Sequence, residues 1–179
     1  MSDTLAQSLH NWQNFYILVG GAAATLVGLM FVAISLGSRL ITERSVPALR
    51  VWVHPTLIHF IYVLVIATII MVPTLTRSPL GILLIFAGLL SFGNALRMVP
   101  YMWQQQREQE ADRGDWVWYL IVPSIIYLLF VGTGIGLLLG DNRALNVLAF
   151  AIILLLVNGI RNAWDMVVWI TIKTESPPQ

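Results

Sequence analysis

The sequence predicts an all-α, polytopic integral membrane protein with five transmembrane helices, arranged as one helix followed by two similar antiparallel hairpins. Two observations carry that expectation. Of the 179 residues, 58% are hydrophobic and only 11% charged, whereas an ordinary soluble domain carries about 25% charged residues. Apolar runs of helix length also recur along the whole chain, each long enough, at about 1.5 Å per residue, to cross a hydrocarbon core of roughly 30 Å. Residues 1–179 therefore read as a single transmembrane domain, with spans at about 15–37, 54–75, 79–98, 117–140 and 144–164.

The stretch before the first span, "MSDTLAQSLHNWQNF", lacks the positively charged leader of a secretory signal. The apolar segment after it is too long for a signal core, so it is expected to stay attached as the first membrane helix. Within that span, "GGAAATLVGLMFVAIS" places Gly21, Ala24, Thr25, Gly28 and Ser35 at helical spacing. Small side chains let a second backbone approach closely, which drives helix association when both solvents are equally apolar. Gly21, Ala24 and Gly28 are the expected packing positions, within the chain or between the subunits of a homo-oligomer.

Short connections, "TLTRSP" between spans two and three and "GDNR" between spans four and five, define the two hairpins. The longer links are 38–53 and 99–116, and the second contains "QQQREQEADRGD", mixed in charge and free of apolar anchors. A solvated cytoplasmic loop, extending a helix by a turn or two, is expected there.

Orientation follows from the arginines. Arg39, Arg44, Arg50, Arg97, Arg107, Arg113, Arg161 and Lys173 fall on one side of the proposed membrane and Arg77 and Arg143 on the other. By the positive-inside rule the N-terminus lies outside and the C-terminus in the cytoplasm, as expected for a bacterial inner membrane protein. Trp52, Trp103, Trp116, Trp118, Trp164 and Trp169 cluster near the same inner interface, where amphipathic rings prefer to sit, and Trp12 marks the outer one.

The two hairpins also align with each other. Pro55-Thr56 matches Pro123-Ser124, Arg77 matches Arg143, and Asn94-x-x-Arg97 matches Asn158-x-x-Arg161. Each hairpin would begin with Pro and a hydroxyl in its first inner turn, where the missing N–H costs nothing. Both copies cross the membrane in the same sense, which makes a parallel repeat.

The candidate site is the octet "NGIRNAWD", residues 158–165, between two apolar runs. Asn158, Arg161, Asn162 and Asp165 are spaced i, i+3, i+4, i+7 and share one helix face. Arg161 can snorkel to the headgroup level, but Asn158 lies deeper, and a polar stripe there should face other helices or water. Asn94 and Arg97 would add a second amide and guanidinium, and Arg39 ends the first span in the same way. An inner vestibule ringed by Arg39, Arg97 and Arg161 would attract anions or lipid phosphates through forked donors.

Other chemistry lacks its parts. The chain has no cysteine, so disulfides, thiolate metal sites and cysteine nucleophiles are excluded. "VGTGIGLLLG", residues 131–140, has no preceding strand and reads as close packing, not a phosphate loop. His54 and His59, five apart, do not converge on one metal and are expected as an interfacial pair. No paired carboxylates and no Ser/His arrangement with a plausible base occur within the spans, so the chain is not expected to be an enzyme. No cofactor and no metal site are implied, and a net charge of +1 makes no case for nucleic acid. Membrane lipids and further copies of the chain are the expected partners. The function expected is a small oligomeric channel or permeation module with a cationic cytoplasmic mouth that favours anions. The alternative is a non-transporting scaffold or lipid-binding subunit of a larger complex.

Overall fold

A computed structural model describes residues 2–37, 46–107 and 113–175 of the chain. Its elements are α1 (Ser2–Gly37), α2 (Val46–Ile70), α3 (Arg77–Arg107), a short α4 (Arg113–Trp116), a π-helical segment (Val117–Ile121), α5 (Val122–Leu138) and α6 (Ala144–Glu175). Among the described residues no strand is formed. Among the described residues four segments are long and apolar enough to cross a membrane: Gln7–Leu36, Arg77–Pro100, Val117–Leu138 and Ala144–Val168. Pro55–Ile70 is a shorter apolar helix.

Pro55 lies inside α2, whereas Pro123 stands in the first turn of α5, as expected, two residues after the end of the π-helical segment that leads into it. Proline offers no N–H to the carbonyl four residues back. In the second case the backbone adapts by a wider turn, in which the Val122 N–H bonds to the Val117 carbonyl. Pro100 likewise sits within α3, which runs on to Arg107, well past the expected end of the span. The loop after it is bracketed by an edge-to-face contact between Trp103 and Trp116, with ring centroids 6.2 Å apart.

Both short turns lie at one end of the bundle, the turn end. α5 finishes there in a Schellman arrangement: the Asp141 N–H reaches the Gly136 carbonyl at 2.9 Å and the Gly140 N–H the Leu137 carbonyl at 3.0 Å. Gly140 takes the positive φ of +88° that this cap requires. Arg77, at the start of α3, donates from Nη1 to the Gly140 carbonyl (3.0 Å) and from Nη2 to Asn142 Oδ1 (2.9 Å). One guanidinium fork thus ties the first short turn to the second.

Chain neighbours are not always packing neighbours. α3 makes little contact with α2, its expected hairpin mate, and packs mainly on α5, while α2 packs on α1 and α6. The reason is glycine. A Cβ at Gly81 would stand 2.9 Å from the Gly134 carbonyl oxygen, and one at Gly88 2.6 Å from the Tyr127 carbonyl oxygen. Two backbones in direct contact along an antiparallel crossing leave no room for a side chain at either position. "VGTGIG" is therefore close packing, and Gly134 is the glycine that needs it.

On α1 the face turned into the bundle carries Tyr16, Val19, Gly20, Ala23 and Met30. Gly20 meets Ala67 of α2, where a Cβ would come within 3.1 Å of the alanine methyl. Gly21, Ala24 and Gly28 point away from it and are exposed on the single chain, and a Cβ at Gly21 or Gly28 would meet nothing within 4 Å. Intrachain packing falls to Gly20 and Ala23, one position around the helix from the expected stripe.

Candidate functional site: a buried polar layer at the α2, α5 and α6 junction

Two apolar clusters fill the bundle. The larger runs from the turn end through Ile66, Leu80, Ile126, Phe130, Ile152 and Leu155, and the smaller, toward the opposite or loop end, holds Met30, Phe60 and Met166. On α6 the residues between Leu155 and Met166 that stay buried include Asn158 and Asn162, 1% and 0% exposed. Thr56 and His59 of α2 are buried as completely. A polar layer therefore interrupts the core where α2, α5 and α6 meet.

His59 is its centre. Its Nε2 lies 3.0 Å from the Tyr127 hydroxyl, and its Nδ1 lies 3.4 Å from Asn158 Nδ2. With the Asn158 amide donating, Nδ1 accepts and the Nε2–H donates to Tyr127, so one neutral tautomer satisfies both contacts. The layer continues toward the middle of the bundle: the Tyr62 ring packs 6.4 Å from that of Tyr127, and Ser91 of α3 donates to the Tyr62 hydroxyl.

Other polar atoms in the interior find no protein partner. They include Asn158 Oδ1, both amide atoms of Asn162, and, nearer the turn end, the hydroxyls of Thr133 and Tyr16. Burying such a group without a hydrogen bond costs about 1–3 kcal/mol in proteins. A span surrounded by lipid has little water from outside to relieve that cost.

The charged part of the octet is arranged differently. Arg161 Nη1 and Asp165 Oδ2 are 3.2 Å apart, both residues partly exposed. The guanidinium also stacks over Trp118, 4.4 Å from the ring centroid, and Trp118 belongs to the π-helical segment. Arg161 is thus held between an acid on its own helix and an aromatic ring at the loop end.

The expected constellation is brought together only in part. Asn158, Arg161, Asn162 and Asp165 lie along one stretch of α6, with the amides buried and the ions at the edge. Asn94 and Arg97 are exposed on α3, which does not pack substantially against α6. Within one chain the two Asn-x-x-Arg motifs therefore do not form one site. Arg39 lies outside the described residues. His59, expected at an interface beside His54, is instead a core residue, while the side chain of His54 is not described.

A longer repeat would have found His59. "PTLIHFIYV" at 55–63 aligns without a gap to "PSIIYLLFV" at 123–131, which pairs His59 with Tyr127, the residue it touches. Under this alignment α2 corresponds to α5 and α3 to α6, so the α3–α5 and α2–α6 packings are corresponding pairs. No family model, no curated protein and no solved structure matches the chain.

Proposed function

We propose that the chain is a five-span protein of a bacterial inner membrane, N-terminus outside and C-terminus cytoplasmic, that assembles with copies of itself as a small permeation module. The observation that supports it is the succession of unpartnered polar atoms through the interior, from Asn162 near the loop end to Thr133 and Tyr16 nearer the turn end. Polar groups at membrane depth are costly, and a wet or solute-filled path offsets that cost. The route in this reading runs through the α2, α5 and α6 junction. Discrimination comes from amides and hydroxyls more than from a cationic ring, since Asp165 offsets the charge of Arg161. An anion preference would have to come from Arg39 and Arg97 gathered in an oligomer.

The test is uptake by proteoliposomes of the parent and Asn162→Leu, at matched insertion and assembly. The reading expects uptake of at least one small solute or ion by the parent, reduced several-fold in the variant. Parent vesicles no more permeable than empty ones would overturn it.

A non-transporting scaffold or lipid-binding subunit is favoured by one different observation. Arg161, stacked on Trp118 and paired with Asp165, has the arrangement of an interfacial anchor that snorkels toward headgroups. Lipid retained by the parent and lost in Arg161→Ala, with no uptake by either, is the result that selects this second reading.

A further inference from the structure

We propose that Asn158 and Asn162 form a binding site for a small uncharged solute that both donates and accepts hydrogen bonds, of the urea or primary-amide class. The inference deepens the permeation reading, on which the solute's route rests, while binding itself is measured separately from flux.

The inventory of unpaired atoms sets the class. Asn158 spends its Nδ2 on His59, leaving Oδ1, while Asn162 leaves both Oδ1 and Nδ2. The two asparagines thus offer two acceptors and one NH2 donor, on positions one helical turn, about 6 Å, apart. Urea and primary amides carry the complement: N–H groups for the two oxygens and a carbonyl for the NH2.

Charged occupants fit less well. An anion would face two carbonyl oxygens, and the neighbouring Arg161 guanidinium, although its Nη1 makes no hydrogen bond, already has its charge offset by Asp165 at 3.2 Å and its face on Trp118. A cation would find no free carboxylate, since Asp165 is held by Arg161, and among the described residues no group of three His, Asp or Glu gathers that could hold a metal ion. Size is limited by the apolar clusters on either side, Leu155 and Ile152 toward the turn end and Met166 and Phe60 toward the loop end. Water carries the same donors and acceptors, so the experiment must separate it from a solute.

The full chain in lipid nanodiscs is titrated with carbon-13-labelled urea at millimolar, non-denaturing concentration, with saturation transfer from protein to urea as the readout. Uptake of urea, chloride and potassium is measured in parallel in proteoliposomes. Saturable transfer in the parent, weakened at least tenfold in Asn162→Leu, supports the site. Should Asn162→Leu fail to insert, Asn162→Ala serves in its place. Binding with urea uptake supports both readings, and binding without any uptake supports the site and overturns permeation. Chloride or potassium uptake without urea binding overturns the site and leaves permeation standing. Neither binding nor uptake overturns both, and the amides then hold water or each other.

Discussion

The Nε2 atom of His59 and the hydroxyl of Tyr127 lie 3.0 Å apart in the bundle interior, and the two residues occupy the same position in the aligned segments 55–63 and 123–131. The contact therefore joins equivalent points of two repeats and ties α2 to α5, which are not adjacent in the chain. Hydrogen bonds between membrane helices average about 0.6 kcal/mol, with a maximum near 1.7. Tyr127→Phe should cost an amount in that range and His59→Leu somewhat more, because it also strips Asn158 of its partner. A double-mutant cycle on unfolding in mixed micelles measures the coupling, and additive losses would show that the pair is not linked.

Gly81 and Gly134 make the α3–α5 crossing, so Gly81→Ala and Gly134→Ala should each destabilise by about 1–3 kcal/mol through forced separation of the backbones. Gly21→Ala and Gly28→Ala, which face open space on the single chain, should be neutral or stabilise by up to about 1 kcal/mol through helix propensity. Unfolding midpoints of the four variants check the contrast. Gly28→Leu addresses the oligomer instead: a changed subunit count in single-molecule photobleaching places the stripe between copies.

Arg77 holds the turn end closed. Arg77→Lys keeps the charge but loses the planar fork to the Gly140 carbonyl and Asn142, and should speed amide hydrogen exchange at 139–143 several-fold. Gly140→Ala, forced into φ near +88°, should do the same at a cost of about 1–2 kcal/mol. Unchanged exchange in Arg77→Lys would mean that the Schellman cap closes the turn unaided.

The eight-to-two division of Lys and Arg between the two sides predicts a cytoplasmic C-terminus. A reporter fused after Gln179 should be active only in its cytoplasmic form. Activity outside would reverse the orientation or change the number of spans.

What the sequence made legible were features set by composition and local chemistry: the apolar spans, the "GDNR" turn, and the deep placement of Asn158 on α6. Which helix faces which neighbour was much less so. Gly81 and Gly134 each sit in a stretch of helix that is apolar on all sides, and such a stretch has no polar face to reveal its packing side. The motif Asn94-x-x-Arg97 reads like Asn158-x-x-Arg161, yet the first amide is exposed and the second buried, a difference set by which helices lie against each one. Its place near the expected start of span two makes His59 look interfacial in the sequence. α2 in fact begins earlier, at Val46, and carries His59 well inside the helix.

The most direct test of the central claim, that the amide layer holds a polar occupant, is solid-state NMR of the chain in bilayers with the asparagine side chains labelled. Magnetisation transfer from water or urea protons to the Asn158 and Asn162 side-chain amides is the quantity to measure. The account predicts transfer to Asn162 at least as strong as to exposed Asn94 when referenced to buried backbone amides of Leu155 and Met166. An Asn162 amide as dry as those two neighbours would contradict it.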